Sequence, residues 1–195
     1  MKILAGTAFA AGLFALTMAF GAGHGGWTAV EDESSVAFGS VKSDLFGEVH
    51  HFTKVGGSVD SNGVLKLSID LSSVETNIDI RNERMGKHLF QDGSATAKIT
   101  GDINTAELGA LKAGETAMVD FEGNLAFGGA ELDIEAKMIV VRLTNDRVMV
   151  STADFIMVST EDLGIDAGIN ELMKLAELPG ITRVTPVAVR VVFER

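Results

Sequence analysis

The chain has 195 residues, a formal net charge of −11 at pH 7 and no cysteine. This charge repels nucleic acid and anionic membrane surfaces, so no nucleic-acid partner is expected. Without cysteine the chain has no disulfides, no thiol chemistry and no lipid attached to an N-terminal cysteine. The length corresponds to a single domain with enough residues to bury a sizeable core.

The N-terminal residues have the pattern of a secretory signal peptide. Lys2 is the only early charge, residues 3–20 form an uninterrupted run of apolar, glycine and threonine residues, and small residues follow. We predict a signal peptide over residues 1–21, cleavage between residues 21 and 23, a mature domain over residues 22–195 and a periplasmic location. The alternative is a retained membrane anchor, because the run is close to the shortest length that spans a bilayer. No later stretch is long enough to span one, so no stable membrane span is expected after cleavage.

Most of the remaining sequence alternates apolar and polar residues, the period that places one face of a β-strand on a core. Strong strands are predicted at 65–71, 117–127, 132–138 and 187–193, and weaker ones at 35–42, 49–59, 97–103 and 147–158. Turn-forming residues at 61–63 and 144–146 indicate antiparallel pairing of neighbouring strands. About eight strands with few helices favour an all-β fold, and an antiparallel barrel over a sandwich, because closure removes exposed strand edges.

One or two short helices complete the prediction. Residues 169–176 carry apolar side chains at helical spacing, with Asp166 available as a cap and Pro179 ending the run. Residues 78–90 are densely charged, and this segment is expected to be short or irregular.

Several segments of the mature sequence resemble the YceI-like family. The most specific is Ser73-Val74-Glu75-Thr76-Asn77 followed by Arg81-Asn82, which resembles the core segment of that family. Further matches are Trp27, Ser34-Ser35-Val36-x-Phe38, Gly47-x-Val49-x-x-Phe52, Gly123-Asn124-Leu125-x-Phe127 and Asp162-Leu163-Gly164-Ile165. The resemblance implies a lipocalin-like antiparallel barrel whose elongated apolar cavity holds a polyisoprenoid chain, such as that of a quinone or prenyl lipid.

An extended alkyl chain is held by inward-facing apolar side chains, and each buried CH₂ group contributes about 0.8 kcal/mol. The predicted lining consists of bulky apolar residues on predicted strand faces: Phe38, Phe52, Leu67, Ile69, Val119, Phe121, Leu125, Phe127 and Phe155. The alternative is that these side chains fill a solid core, because small barrels are often packed shut.

Arg81, Arg84, Lys87 and His88 form the one dense basic cluster in this acidic sequence. At a cavity mouth, such a cluster attracts a phosphate or quinone head group, and we predict that Arg81, Arg84 and His88 bind the polar end of the ligand. The alternative is a solvated surface segment whose charges pair with nearby carboxylates.

No motif of a classical catalytic site is present, neither Gly-x-Ser-x-Gly, nor a phosphate loop, nor His-Glu-x-x-His. Glu48 and His50 share one side of a predicted strand and, together with His88, could bind zinc. This site requires a ligand from a distant segment, and we predict no metal site and no enzymatic activity.

The predicted function is that of an exported lipid-binding protein, a carrier or reservoir that holds a polyisoprenoid or quinone-like chain in an apolar barrel cavity. No cofactor is required, although an isoprenoid lipid or quinone can be carried as the ligand. The alternative is a secreted structural or interaction protein with a solid barrel core and no ligand. A homodimer is compatible with the sequence.

Overall fold

The computed structural model describes residues 26–91 and 95–195. The predicted signal peptide, its cleavage site and the first residues of the mature chain lie outside the described residues. No helix within the described residues is long and apolar enough to cross a membrane.

The described chain folds into β-strands with three α-helices. The strands are β1 (Trp27–Ala29), β2 (Ser35–Lys42), β3 (Phe46–Phe52), β4 (Val55–Val59), β5 (Val64–Asp70), β6 (Val74–Glu75), β7 (Thr96–Asp102), β8 (Thr116–Phe127), β9 (Ala130–Thr144), β10 (Arg147–Thr152), β11 (Ile156–Ser159) and β12 (Val184–Glu194). The helices are α1 (Asp79–Leu89), α2 (Thr105–Gly109) and α3 (Asp166–Leu175). Short 3₁₀ turns occupy Glu31–Glu33 and Leu71–Ser73.

These strands close into an antiparallel barrel of eight lanes, where a lane is one strand or two strands in line. The interrupted lanes are β1/β2, β3/β4, β5/β6 and β10/β11. For example, Ala29 of β1 pairs with Phe193 and Ser35 of β2 pairs with Arg190, both on β12. The pairing of β1 with β12 closes the ring. The predicted fold class, an antiparallel lipocalin-like barrel of about eight strands, is confirmed.

Sequence alternation decides which side chains face the interior. On β5, Leu65, Leu67 and Ile69 are buried, while Lys66 and Ser68 are exposed. The register between β5 and β7 places Leu67 opposite Ile99. Because side chains at paired positions point to the same face, the inward residues of neighbouring lanes form a continuous apolar wall.

The helices α1 and α3 pack against each other beside the barrel interior. Gly168 of α3 faces the carbonyl oxygen of His88, and a Cβ atom at position 168 would lie only 2.1 Å from that oxygen. Any larger residue would therefore force the two helices apart.

Two sequence-based expectations about these helices are wrong. α1 is a regular helix of 11 residues rather than a short or irregular segment, because Met85 and Leu89 are buried one turn apart and anchor it. Asp166 is not the cap of α3. The N-cap is Ile165, and the Asp166 carboxylate accepts a hydrogen bond from the Thr160 hydroxyl instead.

Candidate ligand-binding cavity

The barrel encloses two apolar chambers. The Trp27 chamber has a volume of about 510 Å³, and the helix chamber, which lies under α1 and α3, has a volume of about 420 Å³. Both volumes fall in the range of about 300–1,000 Å³ that is typical of ligand sites. The Trp27 chamber is walled by residues such as Leu65, Val140, Val148 and Phe193, and the helix chamber by residues such as Met85, Phe90, Ile169 and Leu172.

The two chambers are adjacent along the barrel, because they share four lining residues, which we call the waist: Ile99, Ile134, Ile156 and Val189. Along β12, Thr185 and Val187 line the helix chamber, and Val191 and Phe193 line the Trp27 chamber. At about 3.3 Å per strand residue, this stretch measures about 26 Å. The interior is therefore elongated, and its length suits a chain rather than a compact molecule.

Eight of the nine residues predicted to line the cavity lie on the wall of one of the two chambers. Leu67, Val119 and Phe121 line the Trp27 chamber, and Phe38, Phe52, Ile69, Leu125 and Phe127 line the helix chamber. Contact of these residues with a ligand remains a prediction. A hollow interior of this size is inconsistent with the alternative of a solid core.

Phe155 is the exception, because it is 69% exposed and lines neither chamber. The predicted strand 147–158 is divided in the structure, where β10 ends at Thr152 and β11 begins at Ile156. Both Thr152 and Ile156 line the interior, so the inward alternation stays in phase across the break and places Phe155 on the outward face. Its predicted placement in the lining is wrong.

A row of aromatic rings forms one wall of the helix chamber. The ring centroids of Phe38 and Phe52 lie 5.1 Å apart, those of Phe52 and Phe90 5.4 Å, and those of Phe90 and Phe127 6.2 Å. The first pair is stacked and the other two are edge-to-face, and such contacts stabilise the wall beyond its burial. Phe90 was missed as a lining residue because it follows α1 and belongs to no strand pattern.

A polar cluster lies on the lining of the same chamber. Arg81 Nη1 donates a hydrogen bond to Glu48 Oε2 at 2.5 Å, and Lys42 Nζ donates to Glu48 Oε1 at 2.9 Å. All three side chains are partly exposed and line the chamber. The cluster therefore marks the mouth, where the helix chamber meets solvent.

His50 lies deeper on the same face of β3 and is only 3% exposed. Its Nε2 atom is 3.1 Å from Ser40 Oγ, and its ring centroid is 5.2 Å from that of Phe38. In the part of the chain that the structure describes, His50 Nδ1 has no hydrogen-bond partner. His50 is among the residues that line the chamber, while its Nδ1 atom is itself buried.

The surroundings shift the pKa of both titratable groups on this face. Burial acts to raise the pKa of Glu48, but the hydrogen bonds and charges of Arg81 and Lys42 outweigh it and lower the pKa. Burial, together with the charge of Arg81, lowers the pKa of His50. At neutral pH Glu48 is therefore a carboxylate and His50 is uncharged.

The segment that resembles the family most closely positions Arg81. Arg81 Nε donates to Thr76 Oγ1 at 3.1 Å, and Arg81 Nη2 donates to the Thr76 carbonyl oxygen at 3.0 Å. Asn82 Oδ1 accepts a hydrogen bond from the Thr76 backbone N–H at 2.9 Å. This network connects β6 to the first turn of α1, and it fixes the direction of the Arg81 side chain.

The other two residues predicted for the polar end differ in their placement. Arg84 lines the helix chamber, and its Nη1 donates to the carbonyl oxygen of Leu175 at 3.3 Å. His88 lines neither chamber, because it is two turns beyond Arg81 on α1, where its backbone contacts Gly168 of α3. The predicted placement of His88 at the polar end is wrong.

Trp27 closes the far end of the Trp27 chamber. The guanidinium carbons of Arg142 and Arg195 lie 5.1 Å and 4.6 Å from the centroid of its ring. Such cation–π contacts are stabilising, and more so when the cation is desolvated, as Arg142 is. Trp27 was predicted as a family landmark, but its two partners were not, because Arg142 on β9 and Arg195 after β12 are distant from it in sequence.

The zinc alternative depends on three residues. Glu48 and His50 point to the same side of β3, as expected. Across the described residues, no three histidine, cysteine, aspartate or glutamate side chains are grouped as metal ligands. The Glu48 carboxylate is instead occupied by two cations.

A closed antiparallel barrel with an elongated apolar interior and helices at one end defines a lipocalin-like protein. Residues 27–189 match the family model described as YceI-like domain, and the chain belongs to that family. The family resemblance predicted from the sequence is confirmed.

Two solved structures are similar to this chain. One is a polyisoprenoid-binding domain from Saccharophagus degradans implicated in plant cell wall breakdown. It is 31% identical, with a TM-score of 0.83 over 86% of this chain and 97% of that chain. The other, BcnA from Burkholderia cenocepacia, is 12% identical, with a TM-score of 0.60 over 84% of this chain and 98% of that chain, and shows likeness of fold alone. No curated protein matches the chain.

Proposed function

We propose that this protein binds one long polyisoprenoid or prenyl-quinone chain and carries or stores it in the periplasm. The observation that carries the proposal is the elongated interior, in which two apolar chambers share one waist. A prenyl chain is apolar and flexible, so it is held by burial rather than by precise polar geometry. Such a protein binds its ligand without catalysing a reaction and needs no cofactor for turnover.

The two ends of the interior differ, and this difference orients the ligand. We assign the tail to the Trp27 chamber, in which both arginines at the end are engaged with the face of the Trp27 ring. The helix chamber carries Lys42 and Arg81 at its mouth. A hydroxyl, phosphate or quinone carbonyl at the polar end of the lipid would accept or donate hydrogen bonds here.

The similar structure from Saccharophagus degradans supports the proposal, since it is described as a polyisoprenoid-binding domain and is 31% identical. The predicted signal peptide supports the periplasmic location. A homodimer is compatible with the sequence, and light scattering of the purified mature protein tests it by measuring the molar mass.

Mass spectrometry of organic extracts from the native mature protein tests the proposal. A prenyl lipid or quinone should be present at about one molecule per protein. The Phe127→Asp variant should lose it, because a charged group in the wall of the helix chamber is strongly unfavourable to an apolar chain. Phe155→Asp is the matched control, since Phe155 is exposed and lines neither chamber.

Circular dichroism establishes that both variants remain folded, and Phe121→Asp replaces Phe127→Asp if the latter does not. The proposal is wrong if the wild-type extract contains no prenyl species and the protein takes up none when prenyl lipids are titrated into it.

A further inference from the structure

Five large apolar side chains surround the mouth of the helix chamber and are exposed to solvent. We call this group the rim: Leu45, Phe46, Ile78, Ile80 and Leu175. They come from the β2–β3 turn, the start of α1 and the end of α3. Burying such side chains is favourable, and a cluster of exposed ones marks an interaction surface.

The rim residues of the β2–β3 turn lie directly above the chamber. Phe46 shares the inward face of β3 with Glu48 and His50, which line the chamber, yet it is 56% exposed. Leu45 precedes it at the tip of the turn and is 75% exposed. The Ser43 backbone N–H donates to the carbonyl oxygen of Gly180 at 2.9 Å, which holds the turn beside the chamber wall.

The helical part of the rim is continuous with the chamber. Ile78 and Ile80 are about half exposed and at the same time line the helix chamber. Leu175 is joined to α1 through the hydrogen bond from Arg84 to its carbonyl oxygen. Ile78 and Ile80 therefore form an apolar edge that leads from the interior to the outside beside the polar cluster.

We propose that the rim docks onto a lipid bilayer, so that a prenyl chain passes between bilayer and chamber without crossing water. This inference rests on the proposed function. A lipid bilayer suits the rim as a binding partner, because the rim surrounds an opening. An apolar chain that leaves this opening needs an apolar medium on the other side.

The charges at the mouth indicate which lipid surface suits the rim. Lys42, Arg81 and Arg84 line the opening, and the Glu48 carboxylate pairs with the first two. Asp44 and Asp79 are exposed beside Leu45 and Ile78. The net positive charge inside and the carboxylates outside match the phosphate and ammonium groups of a zwitterionic headgroup. A strongly anionic surface is opposed by the net charge of −11.

The test is flotation of ligand-free protein with phosphatidylcholine vesicles, followed by transfer of solanesol from such vesicles. The rim variant combines Leu45→Asp with Phe46→Asp. Its matched control combines Leu143→Asp with Phe155→Asp, which makes the same two substitutions at exposed positions away from the mouth. None of these four residues lines a chamber.

We expect wild type and control to float with the vesicles and to take up solanesol. The rim variant should remain unbound and take up solanesol about tenfold more slowly or worse, because it loses two large apolar side chains at the contact. It should still bind dispersed farnesol with unchanged affinity, because its chambers are intact.

Flotation tests docking on the bilayer independently of what the chambers bind. A negative flotation result therefore contradicts the docking inference but not the proposed function. The inference is overturned if the wild type does not float, or if the rim variant floats and acquires solanesol as fast as the control. It is also overturned if light scattering shows that the rim joins two copies of the chain and that breaking this dimer leaves transfer unchanged. Absence of farnesol binding in wild type would instead contradict the proposed function.

Discussion

The guanidinium of Arg81 donates to the carboxylate of Glu48 across 2.5 Å and so ties the first turn of α1 to β3. Thr76 binds the same guanidinium from the other side through its hydroxyl and its carbonyl oxygen. The cation at the mouth is therefore held in one position by two elements. This arrangement links the local fold of α1 to the chemistry of the polar end.

Replacing Arg81 with methionine should destabilise the protein by about 1–2 kcal/mol, since charge-assisted hydrogen bonds are lost at a partly exposed site. Urea denaturation measures this change. Combining Arg81→Met with Glu48→Gln should reveal a coupling energy of about 1 kcal/mol. Arg190→Met, at an exposed position on the outer face of β12, should change stability by no more than about 0.5 kcal/mol. Equal effects of the two methionine variants would contradict a role of the Arg81 contacts.

His50 should make the protein sensitive to mild acid. Burial lowers its pKa in the folded protein from the ordinary 6.5, so the unfolded chain takes up a proton at higher pH than the folded one. The His50 contribution to stability is therefore intact above pH 6.5 and is lost as the pH falls below that value toward the folded pKa. The urea midpoint of His50→Gln should fall less than that of wild type between pH 7.5 and pH 5.5.

His51→Gln is the control for this experiment, because His51 is adjacent in sequence but exposed on the opposite face of β3. It should keep the acid sensitivity of wild type. If His50→Gln and wild type lose stability in parallel, burial of His50 is not the cause.

The waist should limit the length of the bound chain. Ile134 lines both chambers, and Ile134→Phe places a larger side chain between them. We expect weaker binding of solanesol, by about tenfold or more, because the buried part of the chain is shortened by several CH₂ groups. Binding of farnesol, which fits within one chamber, should change little.

Ile139→Phe makes the same substitution on the outward face of β9 and should affect neither ligand. Calorimetric titration of both lipids into the variants measures the effect. Equal losses for the long and short ligands would mean that Ile134→Phe distorts the barrel instead of closing the waist.

Trp27 should report whether a chain reaches the far chamber. It is the single tryptophan of the chain, and it lines the Trp27 chamber. A long prenyl chain that contacts its ring should shift the fluorescence to shorter wavelength by excluding water from a half-buried indole. Farnesol bound in the helix chamber should leave the emission unchanged, and Ile134→Phe should abolish the shift for solanesol. A shift of equal size with farnesol would show that the polar end does not hold the short ligand in the helix chamber.

Most strands, their inward faces and the family could be predicted from the amino-acid sequence. Strict alternation on β5 and β8 identifies buried positions such as Leu67 and Phe121, because a strand places successive side chains on opposite faces. For the same reason, all predicted lining residues except Phe155 face a chamber. The segment around Thr76 and Arg81 identified the family. Its side chains form a hydrogen-bond network, and such a network requires specific residue types at specific positions.

The hollow interior and the position of the polar cluster could not be predicted from the sequence and became apparent from the fold. The alternation of apolar and polar residues predicts which side chains point inward. It does not predict whether side chains from opposite sides of the barrel touch, because this depends on how the barrel closes. The prediction for Phe155 failed because it was chosen for its bulk, although it is out of phase with the inward positions Thr152 and Ile156. The prediction for His88 failed because this residue lies two turns beyond Arg81 on α1, away from the chamber lining. Lys42 and Glu48 meet across the β2–β3 hairpin. The pairing of β3 with β6 brings the start of α1, and with it Arg81, to the same place.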